Sequence, residues 1–219
     1  METFRYNILI ALASVCLTST CAERFPVSQS ETTGPLAAIL LANVSSSSSG
    51  PCKAQGLCYI FATAGAWLGD LGGSTGIAGA DARCMSDGNK PTSGTYKAML
   101  GDGSTRIATT TADVGDGQVG WVLYASATYR RPDGLSVMTT GTNKLFPFGA
   151  LTNPIANSGT YHTGFNTGWV TNAHCNQWSD GSGGAQGRYG TGGSTSQTTI
   201  TLSQTACNTT TRGIYCAEQ

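Results

Sequence analysis

Residues 72–84 read GGSTGIAGADARC, and residues 94–100 read GTYKAML. In the first stretch and just past it, Ile77, Ala80, Cys84 and Met85 recur at i, i+3, i+7 and i+8, the spacing that lines up side chains on one face of a helix. Glycines precede this run and Gly88 follows it, so a short helix is expected, ending near Gly88. Residues 96–100 (YKAML) then read as a strand.

N-terminal to this stretch, residues 57–63 (LCYIFAT) are rich in β-forming side chains and read as a buried strand. Thr128-Tyr129-Arg130-Arg131 and Leu135-Ser136-Val137-Met138 flank Pro132-Asp133-Gly134, whose proline and glycine suit a tight turn, which predicts a hairpin. Residues 212–217 (RGIYCA) read as a closing strand, while residues 119–124 fit strand or helix equally. Glycine clusters separate these runs, and no internal repeat is visible.

The chain has 219 residues, 30 of them glycine, and only 11% are charged against about 25% in an ordinary domain. With 39% apolar residues it can fill one core, so a loop-rich but globular domain is expected rather than a coiled coil or a charged disordered tail. Twelve basic residues balance twelve acids, without the basic footprint of a nucleic-acid binder.

After Arg5, residues 8–17 form an apolar run of signal-peptide length, too short to span a bilayer as a helix. Thr18-Ser19-Thr20-Cys21 follows, and small residues leading to a cysteine resemble the lipobox of bacterial lipoproteins, in which Cys21 would carry the lipid. Thr20 and Glu2 depart from that pattern, which leaves an ordinary cleaved signal peptide as the alternative. The expected organisation is a signal peptide over 1–20, a polar Ser/Thr-rich tether over 21–50 and one domain over 51–219. Within the tether, residues 36–44 (LAAILLANV) could form a short helix. Eight cysteines behind an export signal suit an oxidising compartment. For the six from Cys52 onward, spacing leaves the connectivity open.

The ordered blocks GIAGADARC, GTYKAML, Leu145-Phe146-Pro147, Cys175-Asn176-Gln177-Trp178, the Gly187 region, Cys207 and Ile214-Tyr215-Cys216-Ala217-Glu218 resemble the endostatin-like domain of collagens XV and XVIII. With the CYIF opening strand and the Cys-x-x-Trp segment, the chain is similar, more closely still, to a domain of unknown function in leptospiral surface lipoproteins. The resemblance covers residues 58–219 and implies a compact α+β, disulfide-bonded, C-type-lectin-like fold with short strands and one or two helices. It also implies pairing of Cys84 with Cys216 and of Cys175 with Cys207, which leaves Cys52 for Cys58.

Several segments imitate chemistry. Ala173-His174-Cys175 and Asp180-Gly181-Ser182-Gly183 are like the histidine and serine segments of chymotrypsin-type proteases, but His174 and Ser182 are too close in sequence to come from two barrels. His162 and His174 lack neighbouring acids for zinc and are read as surface or partly buried polar residues. Gln177 and Asp180 offer two oxygens to a calcium ion, fewer than such a site needs, and Asn153-Pro154 lacks the acid or amide that would precede it in a calcium lectin. Gly101-Asp102-Gly103 and Gly115-Asp116-Gly117 read as turns rather than phosphate loops. Trp67, Trp121, Trp169 and Trp178 read as core residues. From Cys52 onward ten Lys and Arg stand against nine acids, dispersed, so the heparin affinity of endostatin is not carried over, and its zinc site is not carried over because the N-terminal histidines that form it are missing here.

These readings lead to an expected function: a noncatalytic lipoprotein of the outer-membrane surface, without cofactor or metal, that binds host extracellular-matrix or plasma proteins and not nucleic acid. Its membrane contact would be the N-terminal lipid. An envelope-structural or periplasmic protein is the alternative, with a calcium-dependent lectin behind it. Binding is expected to be calcium-independent and weakly salt-dependent, unless folding gathers Arg130, Arg131, Arg188 and Arg212 into one patch.

Overall fold

The computed structural model describes residues 52–91 and 94–219, and its centre is the closing strand Gly213–Glu218 (β8). Residues 213–217 are all buried, because partners cover both edges of β8 and packed layers cover both its faces. A near-continuous apolar run is what such a strand requires. On one edge lies Leu57–Ala62 (β1), antiparallel, with Phe61 opposite Cys216. The other edge is shared by Tyr96–Ala98 (β2), antiparallel against residues 216–218, and Thr160–His162 (β5), parallel against Gly213 and Ile214.

The sheet then extends both ways. β1 pairs in parallel with Thr128–Arg130 (β3), which forms the expected hairpin with Ser136–Thr139 (β4). β5 pairs with Gln186–Thr191 (β6), and β6 with Ser203–Ala206 (β7). The spatial order is β4-β3-β1-β8-β5-β6-β7, with β2 branching from β8. Together with the helix Ile77–Ser86 (α1) and four short 3-10 turns, this mixed eight-stranded sheet makes an α+β domain.

The strand period of two sorts side chains between two cores. Cys58 and Ile60 of β1, with Tyr215 and Ala217 of β8, pack with Tyr129, Phe146 and Trp169. Phe61, Ile214 and Cys216 face the other way, against Ile77, Ala80 and Cys84 of α1 and against Trp178. Three disulfides stitch the layers, pairing Cys52 with Cys58, Cys84 with Cys216 and Cys175 with Cys207, as the resemblance implies.

Several expectations need correction. Met85 is exposed, since the buried stripe of α1 contains only Ile77, Ala80 and Cys84; its sulfur instead accepts the Tyr96 N–H at 3.1 Å. The strand at residue 96 ends at Ala98, because β5 takes over the edge of β8 from Ile214 and the chain must leave it. Residues 119–124 are neither strand nor helix, apart from a single bridge between Val119 and Ile107. The apolar run 8–17, Cys21 and residues 36–44 lie outside the described residues. Among the described residues no helix is long and apolar enough to cross a membrane.

Much of residues 101–127 is irregular but held from within by two aspartates. Asp102 accepts bonds from Ser104 N, Arg106 N and the Thr105 hydroxyl. Burial pushes its carboxyl up, and these bonds outweigh that and leave it below the usual range. Asp116 accepts from Thr111 N, the Thr111 and Thr109 hydroxyls and Thr110 N, which together hold it well below the carboxylate range. The Gly-Asp-Gly segments are thus turns closed by their own acids, with Gly103, Gly115 and Gly117 at positive φ.

Candidate functional site

The segment that imitated a protease and a calcium lectin is a single left-handed turn. Cys175, Asn176, Gln177 and Trp178 have φ of 47°, 51°, 59° and 63°, a conformation that costs about 1–2 kcal/mol per non-glycine residue. Surrounding contacts impose it. Cys175 is tied to Cys207, Trp178 is buried with its indole N–H donating to Gly101 O at 3.0 Å, and His174 Nδ1 accepts Gln177 N at 2.8 Å. His174 therefore acts as a cap, while the Ser182 hydroxyl accepts Gly184 N and also bonds Asp180, so the two are engaged apart from each other.

Asp180 accepts Ser182 N at 2.7 Å, and the side-chain and backbone bonds to Ser182 hold its carboxyl below the usual range. Among the described residues no three His, Cys, Asp or Glu side chains converge as metal ligands. Asn153 donates to Ser136 O at 2.7 Å, and the Pro154 carbonyl lies 3.4 Å from Arg131. Each arginine of the conjectured patch has its own partner. Arg130 bonds the Tyr59 hydroxyl, Arg131 pairs with Asp133 and bonds Asn157, Arg188 bonds Asn172, and Arg212 is buried over the Tyr189 ring.

The histidine expectation is half corrected. His174 is half-buried, but His162 is fully buried, with Nε2 3.0 Å from Trp67 O and its ring edge-on to Trp178. Burial above all pushes its pKa down to about 4; the Trp67 bond opposes that and Arg212 adds to it. Of the tryptophans, Trp169 and Trp178 are core residues, whereas Trp67 and Trp121 are only partly covered.

Two of the clefts formed by the described residues offer places for a ligand. The first, about 340 Å³, is lined by Phe61, Asn89, Arg131, Asp133, Asn157 and Tyr161 among others. Its charges cancel internally, since Arg131 and Asp133 are 2.7 Å apart.

The second, about 610 Å³, lies between Asp113, residues 141–148 and Gln197. Its floor belongs to an aromatic cluster in which Phe148 stacks on Trp169 with centroids 5.4 Å apart, while Phe146 meets both edge-on. Its rim is fixed from behind. Asp113 N donates to Gly168 O at 2.9 Å, Asn143 Nδ2 donates to Asp113 O at 3.0 Å, and Trp121 Nε1 donates to Lys144 O at 2.9 Å. Asn143 is fully engaged, since its Oδ1 takes Leu145 N and its backbone carbonyl takes Gln118.

Among the described residues the Asp113 carboxylate and the Gln197 carboxamide have no such partner, and Asp113 is the one ionisable side chain in the lining. Sequence reasoning missed both. Leu145-Phe146-Pro147 marked the floor only as an alignment block, and nothing local in Asp113 or Gln197 announces that folding brings them together.

No curated protein matches the chain. Residues 66–195 match a family described as "Protein of unknown function (DUF1554)", a stretch that runs from before α1 through β6 and includes Asp113, the cleft floor and the left-handed turn. Since that match spans more than half of the sequence, the chain belongs to the DUF1554 family.

Proposed function

We propose that this is a noncatalytic, lipid-anchored module displayed on a bacterial outer membrane, where it binds host extracellular-matrix or plasma proteins. The observation that carries the reading is the set of three disulfides, which suits an oxidising extracytoplasmic location and keeps long loops in one shape. The similarity to leptospiral surface lipoproteins and to the endostatin-like domain supports it from the sequence, as does the lipobox-like approach to Cys21. A noncatalytic role is supported by the way interior polar groups are spent on structure, His162 on Trp67 and Asp81 on Arg106.

Protease added to intact cells tests display. Surface exposure predicts loss of the domain while periplasmic markers survive. Protection until the outer membrane is breached would favour the periplasmic, envelope-structural reading instead.

A further inference from the structure

The 610 Å³ cleft differs from the 340 Å³ one in its charge: its lining combines an unpaired carboxylate, Asp113, with the aromatic rings of Phe146 and Phe148. We propose that it receives an arginine side chain of the protein ligand, an inference that rests on reading the domain as a protein-binding module.

Asp113 is the only charged group of the lining and has no cationic partner among the described residues, so the cleft is complementary to one positive charge. Lys144, next to the lining residue Asn143, is exposed and makes no ion pair with it. Phe148 already has Trp169 stacked on one face, so its remaining surface is what it offers to the cleft. A planar cation laid on such a ring gains cation–π attraction.

Arginine suits the acceptors better than lysine. The lining offers acceptors on two separate residues, the Asp113 carboxylate and the Gln197 carbonyl oxygen, and a guanidinium presents five donors in one plane, whereas an ammonium is a point charge. The hydroxyl of Thr142, also without a partner among the described residues, can take a further donor. The rim is preorganised. Asp113 is held at φ 61° by bonds of its N–H to Gly168 and of its carbonyl to Asn143, so its main chain is fixed and only its side-chain torsions are ordered on binding. The cleft exceeds the volume of any single side chain, which leaves room for the residues flanking the arginine.

The test titrates the full-length chain, by NMR, with blocked tripeptides Ala-Arg-Ala, Ala-Lys-Ala and Ala-Gln-Ala, and with lactose as a neutral sugar. The arginine peptide should saturate in the millimolar range, on the order expected for one ion pair and one ring contact, with shifts at Asp113, Phe148 and Gln197. Asp113→Asn should weaken it about tenfold. Gln197→Ala should weaken it less, and Asp133→Asn in the other cleft should leave it unchanged.

Equal binding of the lysine or glutamine peptide, binding of lactose in place of arginine, full affinity in Asp113→Asn, or no saturable binding would each overturn the proposal. Because the titration is independent of cell location, its failure beside a positive shaving result sinks the arginine site and leaves the display reading standing.

Discussion

His162 carries the clearest pH signature at the scale of single residues. Its buried ring stays neutral down to about pH 4, whereas in the unfolded chain it accepts a proton near the ordinary value of 6.5. Between those values the unfolded state binds more protons, so stability is full above pH 6.5 and falls as the pH drops toward 4, by roughly 3 kcal/mol. Urea midpoints measured across that window should rise with pH. His162→Gln, which keeps an N–H donor and cannot charge, should flatten much of the rise. The sequence placed His162 at the surface or partly buried because a lone histidine carries no burial signal; only the junction of β5 with the Trp67 segment reveals the partner. Asp113 and Gln197 were invisible for a related reason, since their convergence depends on loops 84 residues apart in the chain.

At the scale of elements, α1 shows why the quoted glycines matter. Gly76 has φ 50°, and a Cβ there would run into the carbonyl oxygen of Gln177 in the left-handed turn. Gly72 and Gly79 approach so closely that a side chain on either would push them apart. Gly76→Ala should therefore cost about 2 kcal/mol or more, read as a lower denaturant midpoint with loss of helical signal. A wild-type midpoint would mean that the helix and the left-handed turn are not pressed together. The helix, β1, the hairpin and β8 were legible because each has apolar residues at its own period or a turn with the right chemistry. β6 (QGRYGT) and β7 (SQTA) were not. Their residues are mostly polar or glycine, and they become strands because β5 offers an edge to β6 and β6 an edge to β7. The segment 119–124 defeated both patterns, since its buried Val122 and Leu123 sit in a loop held by distant partners: Trp121 Nε1 donates to Lys144 O, Gln219 Nε2 to Val122 O, and Tyr124 N to the Tyr129 hydroxyl.

At the scale of the whole molecule, the bridge from Cys84 to Cys216 closes 132 residues between α1 and the central strand. Restricting an unfolded chain over such a span is worth roughly 4 to 5 kcal/mol in the loop-entropy account. Replacing both cysteines by alanine should remove most of that in denaturant unfolding. The bridge from Cys52 to Cys58 closes only six residues and stabilises less. In the proposed function this disulfide-locked domain binds a protein ligand through preformed loops. The decisive measurement is binding of the full-length protein, wild type and Asp113→Asn, to a panel of matrix and plasma proteins, with and without chelator and at low and high salt. Saturable binding to at least one panel member is expected, surviving chelation, weakening only modestly with salt and falling in Asp113→Asn. Binding that vanishes on chelation, collapses at moderate salt or is absent across the panel would overturn the proposed function.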